Sequence, residues 1–152
     1  MLRITRETDY GILILSFLAL EGMGTTHAAS EMAEKIGLPL PIVSKILKAF
    51  VRADLLESER GAKGGYRLIH LPQEISVSDI IEALEGPISL TACSGESEID
   101  CNHENCCPMR SNWQVINDRI KNTFDSISLA EMASPDGLES PLRENGKSGG
   151  AL

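Results

Sequence analysis

Apolar residues return at helical spacing over five separate stretches of the chain. Tyr10, Leu13, Ile14, Phe17 and Leu18 share one side of such a repeat, and Gly22 and Gly24 supply stop signals, which predicts a first helix. A shorter helix is predicted over "AASEMAEKIG", with Met32, Ala33 and Ile36 on one face and Gly37 as a left-handed cap. "LPLPIVSKILKAFVRADLL" predicts a third. Pro41 suits its first position, Ile42, Ile46, Leu47, Phe50 and Val51 form the buried stripe, and Ser44, Lys45, Lys48 and Arg52 face outward.

The pattern then changes. "LLESERGAKGGYRLIHL" reads as two strands, Leu55 to Arg60 and Tyr66 to Leu71, joined by a glycine-rich tip carrying Lys63, Gly64 and Gly65. "ISVSDIIEALEGP" returns to helix: Ser76 and Asp79 sit at capping-box spacing, Gly86-Pro87 ends it, and Ile80, Ile81 and Leu84 pack it onto the preceding elements. Met109, Trp113, Ile116, Ile120, Phe124 and Ile127 then form a sustained apolar stripe near the far end of the chain. Such a stripe needs a partner, and a second copy of itself is the simplest candidate. From Ser134 onward the chain is rich in Pro, Gly and Ser and predicts a disordered tail.

Two short helices around a tight "GLPLP" turn, the second with a basic outer face, match a helix-turn-helix. A basic β-hairpin directly after them makes the pattern a winged helix-turn-helix. The fold class expected is therefore mainly α with a small β wing, followed by a long C-terminal dimerisation helix. The organisation expected is a DNA-binding domain over 1–88, a cysteine-rich loop over 89–108, the dimerisation helix and a short following helix over 109–133, and the tail over 134–152.

Charge sharpens this picture. The net charge of −8 divides into +1 over residues 1–72 and −9 over residues 73–152. Between Pro39 and Arg67 there are six basic residues against three acidic ones, so an anionic partner belongs there. A helix fits the major groove of duplex DNA, and a thin glycine-tipped wing can approach the backbone or enter the minor groove. The candidate DNA-binding residues are Ser44, Lys45, Lys48, Arg60, Lys63, Gly64, Gly65 and Tyr66. The partner expected is double-stranded DNA with a palindromic operator, read by a homodimer. No apolar run reaches a membrane span and no signal peptide opens the chain, so a cytoplasmic, membrane-free protein is expected.

All four cysteines, Cys93, Cys101, Cys106 and Cys107, fall within one acidic loop. In a reducing compartment such clusters are more often metal ligands or redox-active groups than disulfides. Spacing leaves three readings open: an iron-sulfur cluster, a zinc site that recruits His103, or reversible thiol chemistry. An enzyme is not expected. There is no C-x-x-C, and His27, His70 and His103 form no motif of nucleophilic catalysis.

The opening "MLRITRETDYGI", the wing "RGAKGGYRL", the helix "ISVSDIIEALEGP", the cysteine loop and "NWQVINDRIKNTFDSISLAEM" together resemble the Rrf-two family of winged-helix regulators, the IscR- and NsrR-like cluster sensors. The resemblance covers about residues 1–133, and its nearest branch looks like the proteobacterial regulators of the SUF iron-sulfur assembly operon. It implies a homodimeric repressor that senses a 2Fe-2S or 4Fe-4S cluster. It also implies that Ser44 and Lys45 face bases and that Arg60 enters the minor groove. Cys93, Cys101 and Cys107 carry over as cluster ligands, with Cys106 competing for the third place. Asp9, reaching from the partner subunit, carries over as the fourth, with Glu7 and His103 as alternatives. Arg110 stands where one branch has a histidine ligand. A thiol- or zinc-sensing repressor and a nitric-oxide-responsive regulator of the same family are the alternative functions.

Overall fold

The computed structural model describes residues 3–94 and 107–136. Among the described residues, six helices and one hairpin follow in the order α1 (Arg6–Glu21), α2 (Ala29–Ile36), α3 (Leu40–Arg52), β1 (Leu56–Glu59), β2 (Gly65–Leu68), α4 (Val77–Glu85), α5 (Arg110–Asp125) and α6 (Leu129–Ala133). The mainly α architecture with a small antiparallel wing is the one expected.

Helix α1 starts where the Thr5 hydroxyl accepts the Thr8 N–H at 3.3 Å, and it stops at Gly22, whose φ of 96° suits glycine. Its buried face differs from the predicted stripe. Thr8, Gly11, Ile14, Leu15 and Leu18 are buried, whereas Leu13 is exposed and Tyr10 and Phe17 are only half-buried. "ILILSFLAL" is apolar almost all round, so periodicity cannot choose its inward side. Close packing at Gly11 does.

Helix α2 buries Met32 and Ala33 and closes on the left-handed Gly37, whose N–H donates to the Ala33 carbonyl at 3.0 Å. Helix α3 begins one residue earlier than expected, which places Pro41 second. It buries Val43, Ile46, Leu47 and Phe50, while Ile42 stays 36% exposed and Val51 is half-buried. Val43 takes the inward place assigned to Ile42 because positions 43, 46, 47 and 50 follow the i, i+3, i+4, i+7 face.

The two strands are shorter than the sequence pattern predicts. Leu56 pairs with Leu68, and the register runs to Glu59 opposite Gly65. His27 extends the sheet on its other edge. Its N–H donates to the Tyr66 carbonyl at 3.0 Å, and its carbonyl accepts the Tyr66 N–H at 2.9 Å. Gly65 makes this approach feasible, because a Cβ there would lie 2.3 Å from the His27 carbonyl oxygen.

The capping box at α4 forms as predicted. The Ser76 hydroxyl accepts the Asp79 N–H at 3.1 Å and the Asp79 carboxylate accepts the Ser76 N–H at 2.8 Å. A second box, Ser128 with Glu131, opens α6. Leu129 is fully buried beneath α1, and its N–H donates to the Ile75 carbonyl at 2.8 Å. The C-terminal turn therefore closes the same core that α1, α3 and α4 line.

Helix α5 is different. Asn117 is its one buried residue, Ile120 and Phe124 are half-buried, and Met109, Trp113, Val115 and Ile116 are exposed by 41–49%. Ile127 lies beyond its end.

Candidate nucleic-acid interface and cysteine loop

The amphipathic face that buries α3 in the core leaves Ser44, Lys45 and Lys48 on the opposite side, with Ser44 half-buried and both lysines exposed. The wing rises beside this face. Lys48, Arg60, Gly64, Gly65 and Tyr66 line one groove of about 530 Å³ between α3 and the hairpin, so five of the eight candidate DNA contacts meet around a single concavity. Lys63 is exposed at the wing tip.

The cations of this surface are of two kinds. Lys48, Arg60 and Lys63 have no ion pair among the described residues. Arg67 is held across the hairpin by Glu57 at 2.6 Å and Glu59 at 3.1 Å; the Glu57 hydrogen bond, followed by the charges of both carboxylates, raises its pKa further above the ordinary guanidinium value. Lys45 reaches back to α1, where its ammonium meets the Glu7 carboxylate at 2.8 Å. Among the described residues, unpaired positive charge on this side is thus carried by Lys48 and Arg52 of α3 and by the wing.

Gly64 and Gly65 acquire a structural explanation here. A Cβ on Gly64 would fall 2.3 Å from the Glu59 carbonyl oxygen, so the tip closes only with glycine. His27, which stitches the wing to the helices, has its ring buried edge-on against Phe17 at 5.3 Å, with Nδ1 3.2 Å from Glu31. Lys35 completes the corner by pairing with Glu31 at 3.0 Å. That hydrogen bond, and after it the one from His27, holds the Glu31 carboxyl below its ordinary pKa.

Below the wing, the first turn of α1 is clamped by α4. The Glu85 carboxylate accepts the Thr5 N–H at 3.1 Å, the Thr5 hydroxyl at 3.0 Å and the hydroxyl of fully buried Thr8. Burial raises the Glu85 pKa, but these three donors outweigh it and the net shift is downward. The clamp fixes Glu7 and Asp9. They lie two residues apart on a helix and so point about 200° apart. Glu7 faces Lys45, and Asp9 is exposed.

Of the cysteine loop, the described residues include its two ends. Cys93 is a half-buried free thiol whose sulfur lies 3.4 Å from the Thr91 hydroxyl, in a turn closed by fully buried Ser94. Asn117 on α5 fixes the approach to that turn. Its side-chain carbonyl accepts the Leu90 N–H at 3.0 Å, and its amide donates to the Ile88 carbonyl at 3.1 Å. Cys107, also free and half-buried, precedes α5, and its carbonyl accepts the Arg110 N–H at 3.3 Å. Cys101, His103 and Cys106 lie outside the described residues, as does the tail beyond 136. Among the described residues no three His, Cys, Asp or Glu side chains converge as a metal site, and no helix is long and apolar enough to cross a membrane.

Sequence reasoning missed the Glu85 clamp, the Glu7–Lys45 pair and the His27 bridge to the wing. An acidic residue in the last turn of α4 runs against the helix dipole, and that is the one signal that could have pointed to Glu85. The other two join residues about 38 positions apart and leave no local trace.

Comparison with known proteins agrees with this arrangement. The chain is 28% identical to the HTH-type transcriptional regulator IscR of Aliivibrio salmonicida, over 86% of its own length and 77% of that protein's. Among solved structures it is similar to CymR, the global cysteine regulator of B. subtilis, with 32% identity, a TM-score of 0.67, and coverage of 88% of this chain and 97% of that one. It is also similar to T. potens IscR, with 27% identity, a TM-score of 0.65, and coverage of 94% and 96%. These relatives are regulators rather than enzymes. The profile for Rrf2, described as an iron-dependent transcriptional regulator, matches residues 4–135, and the chain belongs to that family of winged-helix, DNA-binding transcription regulators.

Proposed function

We propose that this protein is a homodimeric, cytoplasmic repressor of SUF-type iron-sulfur assembly genes whose DNA affinity depends on an iron-sulfur cluster held by the loop between α4 and α5. The observation that carries the reading is the setting of the loop's two described thiols. Cys93 and Cys107 are free and half-buried; the Cys93 thiol lies 3.4 Å from the Thr91 hydroxyl, just after the segment that Asn117 of α5 holds at Leu90, and Cys107 leads into α5 with its backbone carbonyl accepting the Arg110 N–H. Thiolates are the ligands that such clusters take, and their ligation couples metal binding to folding. Cys93, Cys101 and Cys107 would hold the cluster, with Cys106 in reserve. Asp9 of the partner subunit would complete it. Exposure of Asp9 supports that choice over Glu7, which is already engaged by Lys45. When bound, the cluster supplies a link that depends on iron and on redox state.

The protein's own residues transmit the link. Asn117 ties the Cys93 turn to α5, Lys121 ties α5 to Glu82 of α4, and Glu85 ties α4 to the first turn of α1. The exposed Trp113 and Ile116, which stand three residues apart on one side of α5, mark the face on which two copies would meet, placing two α3–wing units on the halves of a palindrome.

Similarity to CymR supports a second reading, a thiol-sensing regulator using the same loop. Absorbance, EPR, iron and acid-labile sulfide of anaerobically purified protein separate the two, measured for wild type and for Cys93, Cys101, Cys106 and Cys107 each changed to alanine. Iron with equal sulfide, lost in every variant except Cys106→Ala, is the expected result. Colourless protein after reconstitution would move the assignment to the thiol sensor, and zinc without sulfide would move it to a zinc sensor.

A further inference from the structure

Glu7 is an acidic residue set inside the basic face of the molecule. Its carboxylate holds the Lys45 ammonium at 2.8 Å, one residue after Ser44 and one turn before Lys48 on the outer side of α3. The pair is not the chance meeting of two loose side chains. Glu7 is only one-third exposed, and its backbone is locked by the Glu85 clamp on Thr5 and Thr8. One turn further along α1, Gly11 is closed upon Phe50 of α3. The two helices are thus fixed in register, and Glu7 is delivered to Lys45. Lys45 itself is 69% exposed, so two of its three ammonium N–H donors remain available.

We propose that Glu7 is a specificity-determining residue of the DNA interface, acting by making Lys45 a poor ligand for phosphate and a good one for a base edge. The inference rests on DNA binding through α3. If Lys45 takes a backbone phosphate, the phosphate must sit beside the Glu7 carboxylate or displace it, and either way two like charges are crowded together. If Lys45 takes a neutral acceptor such as the O6 or N7 of guanine, Glu7 keeps its hydrogen bond and no repulsion arises. Glu7 therefore penalises sequence-independent binding, which phosphate contacts dominate, more than it penalises operator binding. Because it also restricts the Lys45 side chain before DNA arrives, less rotamer freedom is lost when the base contact forms.

The test compares full-length wild type, Glu7→Gln, Lys45→Gln and the double variant, prepared identically and checked for equal thermal midpoints. Each is titrated across a salt series with a random-sequence duplex and with duplexes that the wild type has selected from a random pool. Glu7→Gln should bind the random duplex about three- to tenfold more tightly at low salt. Its salt slope there should steepen by about one phosphate contact, near −0.9. Affinity for selected duplexes should change less than twofold, so the specificity ratio falls, and in the Lys45→Gln background the Glu7 effect should vanish. Equal gains on both duplexes, no change on either, or a Glu7 effect that persists without Lys45 would each overturn the proposal. Wild type that binds neither duplex in a salt-dependent way would instead overturn the DNA face of α3 itself.

Discussion

Gly11 sits where α1 crosses α3 and α4, and a Cβ placed there would lie 2.6 Å from Leu84 Cδ1 and 2.8 Å from the fully buried Phe50 ring. Overpacking of this kind costs about 1–3 kcal/mol, against about 1 kcal/mol gained from the better helix propensity of alanine. Gly11→Ala should therefore lower the urea midpoint, and a midpoint unchanged or raised would show that Leu84 and Phe50 yield freely. Glu85 governs an acid response. Its folded pKa lies below the unfolded one, because donation from Thr8 and Thr5 outweighs burial, so its contribution is complete above the unfolded value and drains as pH falls through the folded value. Urea midpoints measured from neutral pH down through the carboxylate range should fall less steeply for Glu85→Gln than for wild type. Parallel curves would show that the clamp does not distinguish the charged form. Gly11 is hardly legible from sequence, since a glycine inside an apolar run looks only like weak helix propensity until three helices meet around it.

At the scale of elements, legibility tracks how local the determining signal is. The wing is readable because glycines, basic residues and alternation all fall within one short segment, and the capping box at Ser76 is readable because its partners stand three residues apart. The inward face of α1 is not readable, because its neighbours are all apolar and only tertiary packing discriminates among them. Helix α5 is the mixed case. Its stripe predicts the helix, yet the residue it buries in the chain is polar Asn117, which serves the backbone of Ile88 and Leu90. Asn117→Ala would strand that N–H and carbonyl at a cost of about 1–3 kcal/mol. The Leu90 amide should then exchange faster in hydrogen-exchange experiments, and the Cys93 thiol should alkylate faster. Unchanged rates at both would mean that the loop is held from elsewhere.

For the whole molecule, the exposed apolar stripe of α5 sets the expected assembly. Ile116→Asp should yield a monomer in sedimentation velocity, with a thermal midpoint close to wild type for the protomer and at least tenfold weaker binding to a palindromic duplex. A dimer that survives this change would place the interface on another face. The sequence could indicate that such a stripe needs a cover, but periodicity carries no information about which surface supplies it. The His27–Tyr66 bridge has a further consequence at this scale. Chain continuity from α3 through Leu55 into β1, together with the two hydrogen bonds between His27 and Tyr66 of β2, ties the wing to the helices along both strands. On the proposed mode of DNA binding, each protomer acts as a caliper whose jaw is set in advance, and the arc of duplex between α3 and the wing has one preferred length. On that reading, a base pair inserted within a half-site should weaken binding more than one inserted at the operator's centre, which meets only the joint between two calipers.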